Sequence, residues 1–225
     1  MTKTPNPIII IDAGHGGLMP DGNYATAPNK LQHYEADGRQ TFLHEGVLNR
    51  AVAYGLSFQL DFLGLKNYVI GSNADTSLSD RTDFINYHHK DKNAFLISVH
   101  HNWHEIPQAH GAEFFTYAGI TPLSDAIAQE AGQIFIEKFN NTRKLRLDGN
   151  GVNPHSDKLV FFKKRNFQIL RETIVPAILT EFGFMSNPTE YKYISSYKGI
   201  QDQIEFLVQL CQSVIDKNLI QNHKN

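Results

Sequence analysis

Two short runs of apolar residues constrain this chain more than anything else in it. Pro7 to Asp12 (PIIIID) and Ala94 to Val99 (AFLISV) are dense in apolar, largely β-branched side chains and show no polar–apolar alternation. A strand with one wet face alternates. A run of this kind is buried on both faces, as strands are inside a parallel sheet covered by helices.

The rest of the pattern supplies that cover. Residues 45–63 carry two adjacent apolar stripes at helical spacing: Val47, Ala51, Tyr54, Phe58 and Phe62, and beside them Leu48, Val52, Leu56, Leu60 and Leu63. Gly64 supplies the stop. A short strand is expected at Tyr68 to Ile70, and Ser79 can cap a helix running to about His89. Gly111 to Tyr117 reads as a third buried strand, and Thr121-Pro122 opens a helix to about Phe139. Phe167 to Leu170 and Pro176 to Thr180 are further strand candidates. Ile200, Ile204, Leu207, Val208 and Cys211 mark a C-terminal helix. Strands alternating with helices argue for one α/β domain over residues 1–225, with a mostly parallel or mixed sheet and helices on both faces. Residues 18–44 and 140–158 are polar, without an apolar period, and read as loops.

Composition narrows the partners. The chain has 225 residues, 41% hydrophobic and 20% charged, with a formal net charge of −2. No global field draws it to nucleic acid or anionic lipid. No segment approaches the roughly 18 apolar residues that span a bilayer. The single cysteine, Cys211, falls in an apolar helical stripe and reads as a buried inert thiol. A monomer is expected. The N-terminus has no signal-peptide core, so the chain carries no export signal as it stands.

Eleven histidines are present, and two stand out by position. His15 follows the first buried run, in Asp12-Ala-Gly-His-Gly-Gly, and His100 follows AFLISV directly. In open α/β sheets ligands gather at the carboxyl ends of strands, so these two imidazoles can converge there. Three protein ligands plus an open position is the zinc arrangement for hydrolysis, and two His with one Glu is a recognised set. Glu45, on the first turn of a helix, can supply the carboxylate. Glu181, at the end of PAILT, reaches the same edge and can act as general base. On position alone, structural histidines remain an equal alternative.

Several blocks, in order, then resemble one family. Ile8 to Gly17 (IIIIDAGHGG) looks like the opening strand and first zinc histidine of the zinc-dependent N-acetylmuramoyl-L-alanine amidases of the amidase 3 type. Glu45 with Asn49 and Ala51 resembles the block carrying the zinc glutamate, and Leu78-Ser-Asp-Arg81 with Asn86 the arginine-bearing helix. Phe95 to Asn102 (FLISVHHN) is similar to the strand ending in the second zinc histidine, and Gly111 to Tyr117 to the strand after it. Phe167 to Arg171, then Pro176 to Asn187 (PAILTEFGFMSN), resembles the block with the catalytic glutamate. The resemblance covers essentially the whole chain. It implies a twisted six-stranded sheet, one Zn2+ held by His15, Glu45 and His100, and Glu181 as general base. The substrate it implies is the peptidoglycan amide between N-acetylmuramic acid and L-alanine.

The stretch between His15 and Glu45 is longer than the family usually shows, which makes Glu35 and His44 competitors for the carboxylate position; Glu45 is preferred because Val47, Asn49 and Ala51 follow it. His101 replaces a small residue and reads as structural. Asn102 can offer its amide to substrate or serve a turn. Arg171 can bind a substrate carboxylate or form a surface pair. Arg81 can orient ligands or form a salt bridge. Residues 18–44 can wall the groove or be an ordinary loop. A zinc peptidase acting on another amide, and a non-catalytic wall-binding domain, are the rival functions. A phage or prophage lysin made in the cytoplasm and acting on the cell wall fits the missing leader, as does a host enzyme whose leader was trimmed.

Overall fold

A computed structural model describes residues 5–25, 30–36, 38–71, 74, 76–90, 93–140, 142–148 and 159–220. Parts of the two expected loops (26–29, 37, 141 and 149–158) and the first four residues lie outside the described set. The first half runs β1 (Ile8–Ala13), β2 (Gly17–Leu18), β3 (Tyr24–Ala25), β4 (Leu31–Ala36), β5 (Arg39–His44), α1 (Glu45–Phe62), β6 (Asn67–Ile70) and α2 (Leu78–His88). The second runs β7 (Ala94–Asn102), β8 (Glu113–Tyr117), α3 (Pro122–Phe139), β9 (Lys163–Arg165), α4 (Gln168–Arg171), β10 (Ala177–Phe184), α5 (Pro188–Ile194) and α6 (Tyr197–Asp216).

Six strands form one sheet in the order β6-β1-β7-β10-β8-β9. All neighbours are parallel except β8 and β10, which run antiparallel. The sheet is therefore mixed, and β8 starts at the edge where β10 ends. The unbroken apolar runs have a direct cause. Ile9 and Ile11 point to one face, against Leu48, Val52 and Leu56 of α1 and the core sides of α3 and α6. Ile10 and Leu96 point to the other, against Ile85 of α2 and Ile169 and Leu170 of α4. Both faces are dry, so the strands are apolar through most of their length, and the polar residues within the two runs, Asp12 and Ser98, are paired with each other.

Four expectations need correction. Residues 18–44 are not wholly loop: β4 and β5 pair as an antiparallel hairpin from Leu31↔His44 to Ala36↔Arg39, and β2 pairs with β3. The residues of β5 are mostly exposed, and a strand wet on both faces leaves no apolar alternation to read. Phe167 to Leu170 is not a strand; Phe167 caps the single helical turn α4, whose Ile169 and Leu170 plug the core. β10 does not end before Glu181; it continues to Phe184, with a register shift between Glu181 and Phe184. Of the two stripes on α1, Leu48, Val52, Leu56 and Leu60 are buried, whereas Val47, Tyr54, Phe58 and Phe62 face solvent.

Candidate metal centre and active site

The site forms where β1, β7 and β10 end. Immediately after β1 the backbone turns through His15 (φ 56°) and Gly16 (φ 66°), both in the left-handed region. Arg50 of α1 holds that turn, donating to the carbonyls of His15 (2.9 Å), Gly16 (2.5 Å) and Gly46 (2.8 Å). Gly14 must lack a side chain, because a Cβ there would collide with the His100 ring. Gly46 is bound likewise by the carbonyl of His15. Close approach of β1, α1 and β7 is therefore written into two glycines.

His15, Glu45 and His100 bring one ligand atom each to within 4.8 Å of one another. Among the described residues they are the cluster of His, Cys, Asp and Glu that suits a metal. Glu45 is fully buried, with Oε1 3.0 Å from His100 Nδ1 and 3.7 Å from His15 Nε2. The two imidazoles meet edge-on, with centroids 4.7 Å apart. Burial, and after it His100, pushes the His15 imidazole down to about 3, so the ring is neutral with its lone pair available. Burial alone would raise the Glu45 carboxyl. The His100 hydrogen bond and the electrostatic pull of His100, His15 and Lys30 outweigh it and hold the group well below the usual carboxylate range.

A buried relay orients His100. Arg81 donates to Asp12 Oδ1 at 2.6 Å and to the Ala13 carbonyl at 2.8 Å. Ser98 Oγ gives its proton to Asp12 Oδ2 at 2.6 Å. That hydroxyl can then only accept from His100 Nε2, 3.1 Å away. Nε2 is thereby tied to Ser98, and Nδ1 is the ring nitrogen that faces Glu45, 3.0 Å from its Oε1. Two imidazole nitrogens and a carboxylate oxygen converging on one point form a donor set that suits a divalent cation of borderline character.

Glu181 pairs with His100 on one side and with Glu113 on the other. Its Oε2 is buried without a hydrogen-bond partner. Burial first, then the charge of Glu45, holds its carboxyl well above the ordinary value. A carboxyl so placed has high proton affinity and, among the described residues, one oxygen without a hydrogen-bond partner.

The other residues singled out by sequence divide. Glu45, not Glu35 or His44, joins the histidines: Glu35 is exposed on β4, and His44 packs against the Tyr24 ring. His101 lies buried between Asn49 Oδ1 and Gln203 Oε1, 2.8 Å from each. Asn102 spends its amide on Glu113 Oε2 (2.6 Å), and its oxygen accepts from Trp103 N–H. Arg171 is not brought to the cluster. It ends α4, paired with Glu172 and Asn166, where the Glu172 carbonyl accepts from Asn86 near the end of α2. Arg81 is an ion-pair partner of Asp12 and reaches His100 through Asp12 and Ser98. Sequence reading passed over Glu113, clamped by Lys163 (2.7 Å) and Arg146 (2.9 Å), and Lys30, 3.1 Å from Glu45 Oε2. β9, which brings Lys163, is three charged residues with no apolar signal.

With this geometry in hand, the comparisons with known proteins decide the relationship. Residues 9–209 match the N-acetylmuramoyl-L-alanine amidase family known as Amidase_3. The chain belongs to this family. It is 30% identical over 219 residues to an uncharacterized cell wall amidase of Bacillus anthracis, which covers 88% of this chain but only 35% of that protein. The chain thus spans about a third of that relative. An N-acetylmuramoyl-L-alanine amidase from Clostridium difficile 630 is similar in structure, with a TM-score of 0.70 at 26% identity over 94% of this chain and 98% of the other. The catalytic domain of CwlV, an N-acetylmuramoyl-L-alanine amidase of Bacillus (Paenibacillus) polymyxa var. colistinus, shares the fold, with a TM-score of 0.67 at 20% identity over 93% and 98%. So does the catalytic domain of the CD27L endolysin targeting Clostridia Difficile, at 0.57 and 20% over 90% and 97%. Amidase family and fold are both in place. Among the described residues no helix is long and apolar enough to cross a membrane.

Proposed function

We propose that this chain hydrolyses the amide bond between the lactyl group of N-acetylmuramic acid and L-alanine in bacterial peptidoglycan, with one zinc ion held by His15, Glu45 and His100. The observation that carries this is the juxtaposition of the His15–Glu45–His100 set with the unpartnered Oε2 of Glu181, one strand away in register with His100. Family membership supplies the substrate class.

When bound, zinc supplies Lewis acidity, polarising a carbonyl and making water easier to deprotonate. The protein's own groups do the rest. Glu181 takes a proton from the attacking water while the water oxygen bonds to the amide carbon. The carbon–nitrogen bond then breaks, and Glu181 returns the proton to the departing amine of L-alanine. The product is a free stem peptide, with the lactyl carboxylate left on the glycan. Arg81, Asp12 and Ser98 keep the His100 ring from turning, which preserves the donor set through the cycle.

Mass spectrometry of purified sacculi after digestion tests this. Intact stem peptides bearing a free L-alanine amine are expected, and their formation should stop on chelation and resume on adding zinc. Peptides cut internally would replace the reading by that of a peptidase, and sacculi bound but uncut by zinc-loaded protein would replace it by that of a binding domain.

A further inference from the structure

The two oxygens of Glu45 live in different surroundings. Oε1 faces His100 and His15 and accepts the backbone N–H of His101 at 3.2 Å. Oε2 faces Lys30, whose ammonium lies 3.1 Å away and whose side chain is 26% exposed. Lys30 is tied to Glu45 a second time, its carbonyl accepting the Glu45 backbone N–H at 2.9 Å. The hairpin register explains both contacts: with Leu31 paired to His44, the next positions outward are Lys30 and Glu45. The hairpin is itself anchored beyond the site. Gln32 Oε1 accepts Trp103 Nε1 at 2.9 Å, just past β7. Tyr34 stacks on Tyr191 of α5 at 3.6 Å, and its hydroxyl donates to the Met185 carbonyl just past β10. One short ribbon thus braces the ends of two sheet strands and delivers an ammonium to a buried carboxylate.

We propose that Lys30 is a positioning residue for the metal centre. Resting on the zinc reading above, it pins Oε2 so that Glu45 presents Oε1 alone to the cation. A carboxylate with both oxygens available can chelate through two atoms and fill the position that hydrolysis needs open. An ammonium fixed on the far oxygen removes that option. It also compensates a buried charge. Lys30 touches neither substrate nor reacting atoms in this role; it acts through Glu45, as outer partners of metal ligands do.

The test compares K30M, K30R and Y34A with the wild-type chain in zinc content, kcat against KM on peptidoglycan, and the visible spectrum of the Co2+-substituted protein. Four-coordinate Co2+ absorbs more strongly than five- or six-coordinate Co2+, so the spectrum reports the ligand count directly. For K30M we expect zinc still bound, kcat lowered about 10–100-fold with KM little changed, and a weaker Co2+ band. K30R should recover most of both signals, and Y34A should move them in the K30M direction by less. A K30M protein with wild-type kcat and an unaltered Co2+ spectrum overturns the role of Lys30 while leaving the metal centre standing. Wild-type protein that takes up neither zinc nor Co2+ overturns the centre, and this inference with it.

Discussion

The carboxyl edge of the sheet and the β4–β5 hairpin both contribute to one site, by opposite means. At the edge, Glu45, His100, Asp12, Ser98 and Arg81 are at least nine-tenths buried and joined by hydrogen bonds across four elements. The hairpin is mostly exposed and touches the body through a few side chains, Lys30, Gln32 and Tyr34 among them. Groups that must hold position against a charged ligand are placed where displacement would uncover the core. Groups that adjust such a site are placed where the chain can vary without disturbing it. The difference separates what makes chemistry possible from what tunes it.

The sharpest challenge to that contrast comes from the edge. Glu181→Ala should lower kcat by about 10²–10⁴-fold, the usual worth of a proton-transferring group, with zinc content per chain unchanged by atomic spectroscopy. Near-normal release of stem peptides would remove Glu181 from its role. The scaffold behind the ligands comes next. Arg81→Leu strands the buried Asp12 carboxylate and should cost about 3–5 kcal/mol of stability, read from the urea midpoint. A loss below about 1 kcal/mol would mean that the relay is far less rigid than its burial implies.

Hairpin variants should do less. Tyr34→Ala removes a ring stack and a hydrogen bond and should cost about 1–2 kcal/mol; loss of activity as large as that of the Glu181 variant would abolish the contrast. The smallest effect is expected on the outer face of α1, where Phe62 is 84% exposed. Phe62→Ser should shift the unfolding midpoint by no more than about 0.5 kcal/mol, and a larger shift would show that this side of the helix is packed in solution.

The same division explains what could be read from residues alone. β1 and β7 were legible because burial on both faces removes polar residues, and His15 and His100 because they stand where those runs stop. Glu45 was singled out because Val47, Asn49 and Ala51 follow it with the spacing of the resembled block, and in the structure Asn49, one turn on, donates to the Gly14 carbonyl. β5 and β9 were not legible: RQTFLH becomes a strand through its hairpin partner β4 and KKR through β8, far back along the chain, and neither carries a period of its own. Phe167 to Leu170 misled for the complementary reason, since four residues cannot distinguish one turn of helix from a strand. Lys30 could not be found from its neighbours in sequence, because only the hairpin register sets it opposite Glu45.

His15 sits in left-handed backbone, a conformation that costs a residue with a side chain about 1–3 kcal/mol, and Arg50 keeps it there through carbonyls on either side of the turn. That restriction is imposed when the chain folds, long before an ion arrives. On the proposed zinc reading, a metal would therefore meet a donor whose backbone is already fixed, and its affinity would not be diminished by having to organise the loop. The twist after β1 works as a debt of folding held in favour of binding: the protein is slightly less stable than it could be, and correspondingly readier.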